Sequence, residues 1–148
     1  MAGTIVADNI QAASTSTLVL KNGVANTPPT IQDSAGTQIG TFCRAWVNFN
    51  GTGTVAIRAS FNVSSITDGG VGIYTVNFTN SLPDVNYCVV TAAPNNVDAT
   101  SSNRSLGIFS SNASAGENSM LVGSVKLLMQ GGNGTSLDQS VACVSIFR

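Results

Sequence analysis

The sequence predicts an all-β fold: an antiparallel β-sandwich, jelly-roll-like, preceded by an extended N-terminal arm. Three observations predict it. Thr54 to Ser64 alternates, with Val55, Ile57, Ala59, Phe61 and Val63 on one face and Thr54, Ala56, Arg58, Ser60, Asn62 and Ser64 on the other. A period of two over that length is a half-buried strand and nothing helical. Thr67-Asp68-Gly69-Gly70 then supplies the positive-φ residues of a hairpin turn, and Tyr74, Val76 and Phe78 return on one face. Finally, no stretch makes a good helix. Met120 to Met129 comes nearest, but Gly123, Ser124 and two valines favour a strand.

Taken in order, residues 1–40 form the arm and residues 41–148 the β-domain. The arm holds two short apolar stretches, Ile5-Val6-Ala7-Asp8-Asn9-Ile10 and Ser16-Thr17-Leu18-Val19-Leu20-Lys21, then an Asn22-Gly23 turn, Pro28-Pro29 and Asp33-Ser34-Ala35-Gly36. Pro and Gly keep such a segment extended or turned. Short strands cannot bury their apolar residues alone, so Ile5, Ile10, Leu18 and Leu20 are expected to dock the arm elsewhere. An attachment or intersubunit role is expected.

In the domain about seven strands are expected, at 42–50, 54–64, 71–79, 85–93, 104–111, 119–129 and 140–147. Gly51-Thr52-Gly53, Asp68-Gly69-Gly70, Leu82-Pro83-Asp84, Pro94-Asn95-Asn96, Ala115-Gly116-Glu117 and Gly131-Gly132-Asn133-Gly134 separate them. Two strands are apolar on both faces. Val85, Tyr87 and Val89 oppose Cys88, Val90 and Ala92; Val141, Cys143 and Phe147 oppose Ala142, Val144 and Ile146. A strand apolar on both faces is covered on both. Intersubunit packing is therefore expected at Val85, Tyr87, Val89, Val144 and Ile146.

Composition bears on the same point. The chain has 148 residues, enough for one domain burying roughly 70% of its unfolded surface. Charged residues make up 9%, against about 25% in ordinary soluble domains, while the hydrophobic fraction is 43%. Ser, Thr, Asn and Gly replace the missing charge. A monomer normally stays soluble through a charged surface. A neutral one suits a chain covered by other copies, and a homo-oligomer is expected.

The charges also exclude function classes. Net charge is −1, and Lys21, Arg44, Arg58, Arg104, Lys126 and Arg148 are scattered, so no basic footprint for nucleic acid exists. No apolar run reaches membrane-spanning length, and Met1 to Leu20 lacks the pattern of a signal peptide. Synthesis in a cytosol is expected, with delivery elsewhere, if any, as part of something larger. With no His, the commonest general base and metal ligand is missing. Asp8, Asp33, Asp68, Asp84, Asp98, Asp138 and Glu117 mostly sit in turn contexts rather than as an acid–base pair. Cys43, Cys88 and Cys143 are widely spaced within apolar patterns and lack C-x-x-C spacing, so buried reduced thiols are expected. No enzyme activity, cofactor or metal is expected.

Trp46 is the one tryptophan. With Val47 and Phe49 inward it faces the side of Arg44 and Asn48, where three roles stay open: subunit packing, burial in the domain's own core, or stacking on a sugar ring.

The string Cys43-Arg44-Ala45-Trp46-Val47-Asn48-Phe49-Asn50-Gly51-Thr52-Gly53-Thr54, followed by Ile57-Arg58-Ala59-Ser60-Phe61-Asn62-Val63-Ser64-Ser65-Ile66-Thr67, resembles a module of tailed-bacteriophage structural proteins of the marine and cyanophage kind. The resemblance continues through Gly72-Ile73-Tyr74-Thr75-Val76-Asn77-Phe78-Thr79 to Leu82-Pro83-Asp84-Val85-Asn86-Tyr87, and covers roughly residues 41–90. Met1-Ala2-Gly3-Thr4-Ile5-Val6-Ala7-Asp8 looks like the leaders of such proteins, and Cys143-Val144-Ser145-Ile146-Phe147-Arg148 is a weaker match. The resemblance implies a tail-fibre or minor virion protein, without catalytic residues to carry over. A short trimeric tail fibre or tip is expected, in contact with other virion proteins. Capsid decoration is an alternative. So is a receptor-binding module meeting host glycan through Asn95, Asn96, Arg104 and Asn112.

Overall fold

The computed structural model describes Leu20, Gly23 and residues 29–93, 104–109 and 119–148. Among these residues the chain forms β-strands joined by turns, in three antiparallel sheets. β1 (Ile31–Gln32) and β2 (Gln38–Gly40) make a small hairpin in the arm. Asp33 closes it, accepting bonds on Oδ1 from the amides of Ala35 and Thr37.

The domain is a sandwich of two sheets. The first has the order β4-β3-β11-β7, with β3 at Cys43–Asn50, β4 at Ala56–Phe61, β7 at Cys88–Ala92 and β11 at Ala142–Phe147. The second has the order β5-β6-β10-β8, with β5 at Val63–Asp68, β6 at Ile73–Phe78, β8 at Arg104–Ile108 and β10 at Ser124–Gly131. Short β9 (Met120–Leu121) also pairs with β10. The first and last long strands, β3 and β11, lie side by side as in a jelly roll, whereas β3–β4 and β5–β6 are hairpins within their sheets and β4–β5 is the corner between the sheets.

Alternation fills the core. Ala45, Val47 and Phe49 of β3 and Ala142, Val144 and Ile146 of β11 point inward against Tyr74, Val76 and Phe78 of β6 and Val125, Leu127 and Met129 of β10. Phe49 and Tyr74 meet edge to face, ring centroids 5.1 Å apart.

The long alternating run from Thr54 to Ser64 is corrected. It is two strands in opposite sheets, divided at Asn62, whose φ of 54° is left-handed. Asn tolerates that region better than most side chains. Its Nδ2 donates to the carbonyls of Arg44 and Asn80, while its Oδ1 accepts from the Asn80 amide. The corner therefore ties β3 to the segment after β6. A bulge also breaks the alternation inside β4. Asn48 pairs with Ala59 but Phe49 pairs with Ile57, so Arg58 is the extra residue. Ile57 stays inward and Phe61 turns outward, 54% exposed.

The opposite edge is closed by Thr91, whose hydroxyl donates to the Leu106 carbonyl across the sheets, 2.5 Å away. At one end of the sandwich the Tyr74 hydroxyl sits 2.7 Å from Asp138 Oδ1 and 3.1 Å from the Gly51 carbonyl. Asp138 also accepts from the Gly72 amide. Three connections, β3–β4, β5–β6 and β10–β11, are thereby fastened together.

Candidate functional site

The two outer faces of the sandwich differ in chemistry. On the β5-β6-β10-β8 sheet the outward rows begin with Ser65, Asn77 and Ser124, then Thr67, Thr75 and Lys126. Asn77 Nδ2 donates to Ser65 Oγ and Thr67 Oγ1 at 3.0 and 2.9 Å. Lys126 holds its ammonium 4.6 Å above the Phe109 ring. These two rows are polar, while the next, Ile73, Leu128 and Gly107, is apolar.

The outer face of the β4-β3-β11-β7 sheet is apolar. Its central row runs Phe61, Trp46, Ser145, Val90 across the four strands. Trp46 is 39% exposed and Val90 53%. The flanking rows are Cys43, Phe147, Cys88 on one side and Ala59, Asn48, Cys143, Ala92 on the other. Arg58 closes the patch. Its guanidinium donates to Asn48 Oδ1 and to the Ser140 carbonyl, and so lies across β3 towards β11. Such a face combines Trp, Phe and Arg, the side chains that dominate protein contacts, with little charge.

All three cysteines lie on this face, and all three are free thiols. Cys43 and Cys88 flank Phe147 from opposite sides. Two strand spacings put their Cα atoms roughly 10 Å apart, beyond the reach of a disulfide. The expectation of buried thiols is corrected: Cys88 is exposed, and Cys43 and Cys143 are partly so.

The residues expected at subunit contacts divide. Trp46 and Val85 are exposed at 39% and 44%. Val144 and Ile146 are instead 2% and 1% exposed, inside the domain's own core, and leave no surface for a partner. Tyr87 is likewise internal at 6%, its ring edge to face with Phe78 at 6.1 Å. Its hydroxyl lies between the Leu121 and Ser124 carbonyls, at 3.1 and 3.0 Å, and burial pushes it up to about 12. Val89 packs partly buried against the same core, opposite Ile146. The physical reason is that a double-faced apolar strand commits one set of residues to its own sandwich. The outward set, Cys143, Ser145, Phe147, Cys88, Val90 and Ala92, carries the free surface, and parity alone did not say which set that was.

Of the residues expected to dock the arm, Leu20 is 61% exposed, and Ile5, Ile10 and Leu18 lie outside the described residues. Asn95, Asn96 and Asn112, expected at a glycan contact, also lie outside them. Arg104 opens β8 opposite Gly131, half-buried, with its Nε buried and without a hydrogen-bond partner among the described residues.

An antiparallel β-sandwich with a partly polar, hydrogen-bonded outer face on one sheet and an open apolar face on the other is thus the class of protein the geometry defines. No protein-family model matches the chain, and no curated protein does. Among solved structures it is similar to the phiAB6 tailspike, solved in complex with three-repeated oligosaccharides of Acinetobacter baumannii surface polysaccharide. The identity is 12% and the TM-score 0.47, over 89% of this chain and 30% of that one. The chain therefore spans under a third of the tailspike's length, and a likeness of this degree fixes neither fold nor function.

Proposed function

We propose that this chain is a non-enzymatic structural component of a tailed-phage virion, of the short tail-fibre or tip type, built as a homo-oligomer with trimeric symmetry. The observation that carries the assembly reading is the apolar outer face of the β4-β3-β11-β7 sheet, centred on Phe61, Trp46 and Val90. A chain with 9% charged residues that also leaves such a face open gains by covering it with protein. The phage setting rests on the sequence resemblance over residues 41–90.

Two measurements test this. Sedimentation of the purified full chain is expected to give an oligomer that dissociates when Trp46 and Val90 are both replaced by Asp. Antibody-gold labelling of intact particles is expected to mark the tail. Label over the head would make the protein a capsid decoration, and a monomeric wild type would end the assembly reading. A second reading, recognition of host glycan, is favoured by one feature: the exposed Trp46 and Phe61 adjoin the hydrogen-bonding pair Asn48 and Arg58. Adsorption of the protein to host cells, lost in Trp46→Ala, would support it.

A further inference from the structure

We infer that the occupant of the apolar face is the N-terminal segment, residues 1–20, of a neighbouring copy of the same chain. The inference rests on the assembly reading above and names the partner of that same surface.

Size is the first argument. Four strands about 4.8 Å apart, each offering some six residues at about 3.3 Å, span roughly 400 Å². A stable contact between globular partners buries about 800 Å² on each side. The face is thus small for a second sandwich and fits one or two extended segments.

Composition is the second. The segment carries Ile5, Val6 and Ile10 near its start and Leu18, Val19 and Leu20 at its end, with Asp8 as its one charged side chain. These apolar groups match a face equally poor in charge.

Position is the third, and it selects a neighbour over the chain's own arm. The arm joins the domain at Thr41, whose hydroxyl donates to the Arg148 carbonyl at 3.2 Å. It departs beside the row of Cys43, Phe147 and Cys88, at one end of the apolar face. Leu20, Ile31 and Ile39 are 61%, 42% and 65% exposed, and β1 and β2 hydrogen-bond to each other. None of these side chains is buried against its own domain. Leu20, Ile31 and Ile39 of the arm and the apolar face are open in one copy, and exchange between copies covers both. The β1–β2 hairpin returns Gly40 beside Ile31, and the eleven residues from Leu20 to Thr30 reach as far as about 35 Å when extended, enough to cross to a neighbour.

Crosslinking in the full-length protein tests this. A photoreactive phenylalanine analogue is placed at Val90, and unlabelled chains are mixed with ¹⁵N-labelled chains before illumination. The expected products join position 90 to peptides within residues 1–20, with mixed isotopes. Ile5→Asp combined with Leu18→Asp is expected to remove those products and weaken association at least about ten-fold. Crosslinks only between chains of one isotope would put the arm on its own domain and overturn the exchange. Mixed-isotope crosslinks from position 90 to residues 42–148 would also overturn it, while leaving the assembly reading intact. A monomer with no intermolecular product would end both.

Discussion

Tyr74 presents its hydroxyl to Asp138 at 2.7 Å, and Gly51 passes so close to the same oxygen that a Cβ there would meet it at 2.4 Å. Gly51 is glycine because the tyrosine needs the space. Gly51→Ala is expected to destabilise the fold by about 1–3 kcal/mol through overpacking. Tyr74→Phe is expected to cost about 1–3 kcal/mol, since the carboxylate and the Gly51 carbonyl lose a partner. Removing the hydroxyl relieves part of the clash, so the double variant is expected to cost less than the sum of the two. Urea unfolding with unchanged m-values checks this cycle, and strict additivity would count against the contact.

Asn62 serves the corner in two ways, through its backbone and through its side chain. Asn62→Gly keeps the φ of 54° accessible but deletes the bonds to Arg44 and Asn80. Asn62→Ala deletes the same bonds and adds left-handed strain of about 1 kcal/mol. Both variants are expected to be less stable than wild type, Ala by about 1 kcal/mol more than Gly. Equal melting temperatures for the two would mean that the corner relaxes.

The ends of the pH range act on different groups. Arg148 grips Asp84 with two bonds, Nε to Oδ1 at 2.8 Å and a terminal nitrogen to Oδ2 at 2.6 Å. These bonds, with help from the Asn86 amide, hold the Asp84 carboxyl at about 2. A depressed carboxyl adds stability above its unfolded value near 4, and that contribution disappears as pH falls from about 4 towards about 2. Both side chains are solvent-exposed, so the effect is small and weakens with salt. In alkali the sign reverses. Burial raises Tyr87 to about 12, and burial together with Asp138 raises Tyr74 further. Stability from both tyrosines is complete below pH 10 and falls as pH rises beyond it, through about 12 for Tyr87 and higher still for Tyr74. Asp84→Asn is expected to flatten the acid limb and leave the alkaline limb unchanged in thermal melts across pH.

The fold class was legible because alternation and turn chemistry are local. β3, β6 and β11 sit where Ala45-Trp46-Val47, Tyr74-Thr75-Val76 and Val144-Ser145-Ile146 placed them. The break at Asn62 was not legible, because a corner and a bulge leave hydrophobic parity intact in the string while reversing it in space. The apolar face was half legible. Trp46 was placed on the outer side with Asn48, but Phe61 was counted inward, and the one-residue bulge at Arg58 reversed it. For Val144 and Ile146 the sequence showed two apolar faces without showing which one the opposing sheet would fill.

That division yields a final prediction, a separation of folding from assembly across single strands. Trp46 and Val47 are neighbours on β3, yet one is 39% exposed and the other 1%. Val90 and Val89 divide similarly on β7, 53% exposed against partly buried. Val47→Ala is expected to lower stability by about 2 kcal/mol, and Val89→Asp more, because each acts on the core. Trp46→Ser is expected to leave the monomer within about 1 kcal/mol of wild type. It should nevertheless weaken association by about 2 kcal/mol, roughly thirty-fold in dissociation constant, as loss of a central aromatic anchor does. Concentration-dependent sedimentation beside urea titration reads both quantities for each variant. If Trp46→Ser changes folding and leaves association untouched, the face belongs to the fold alone.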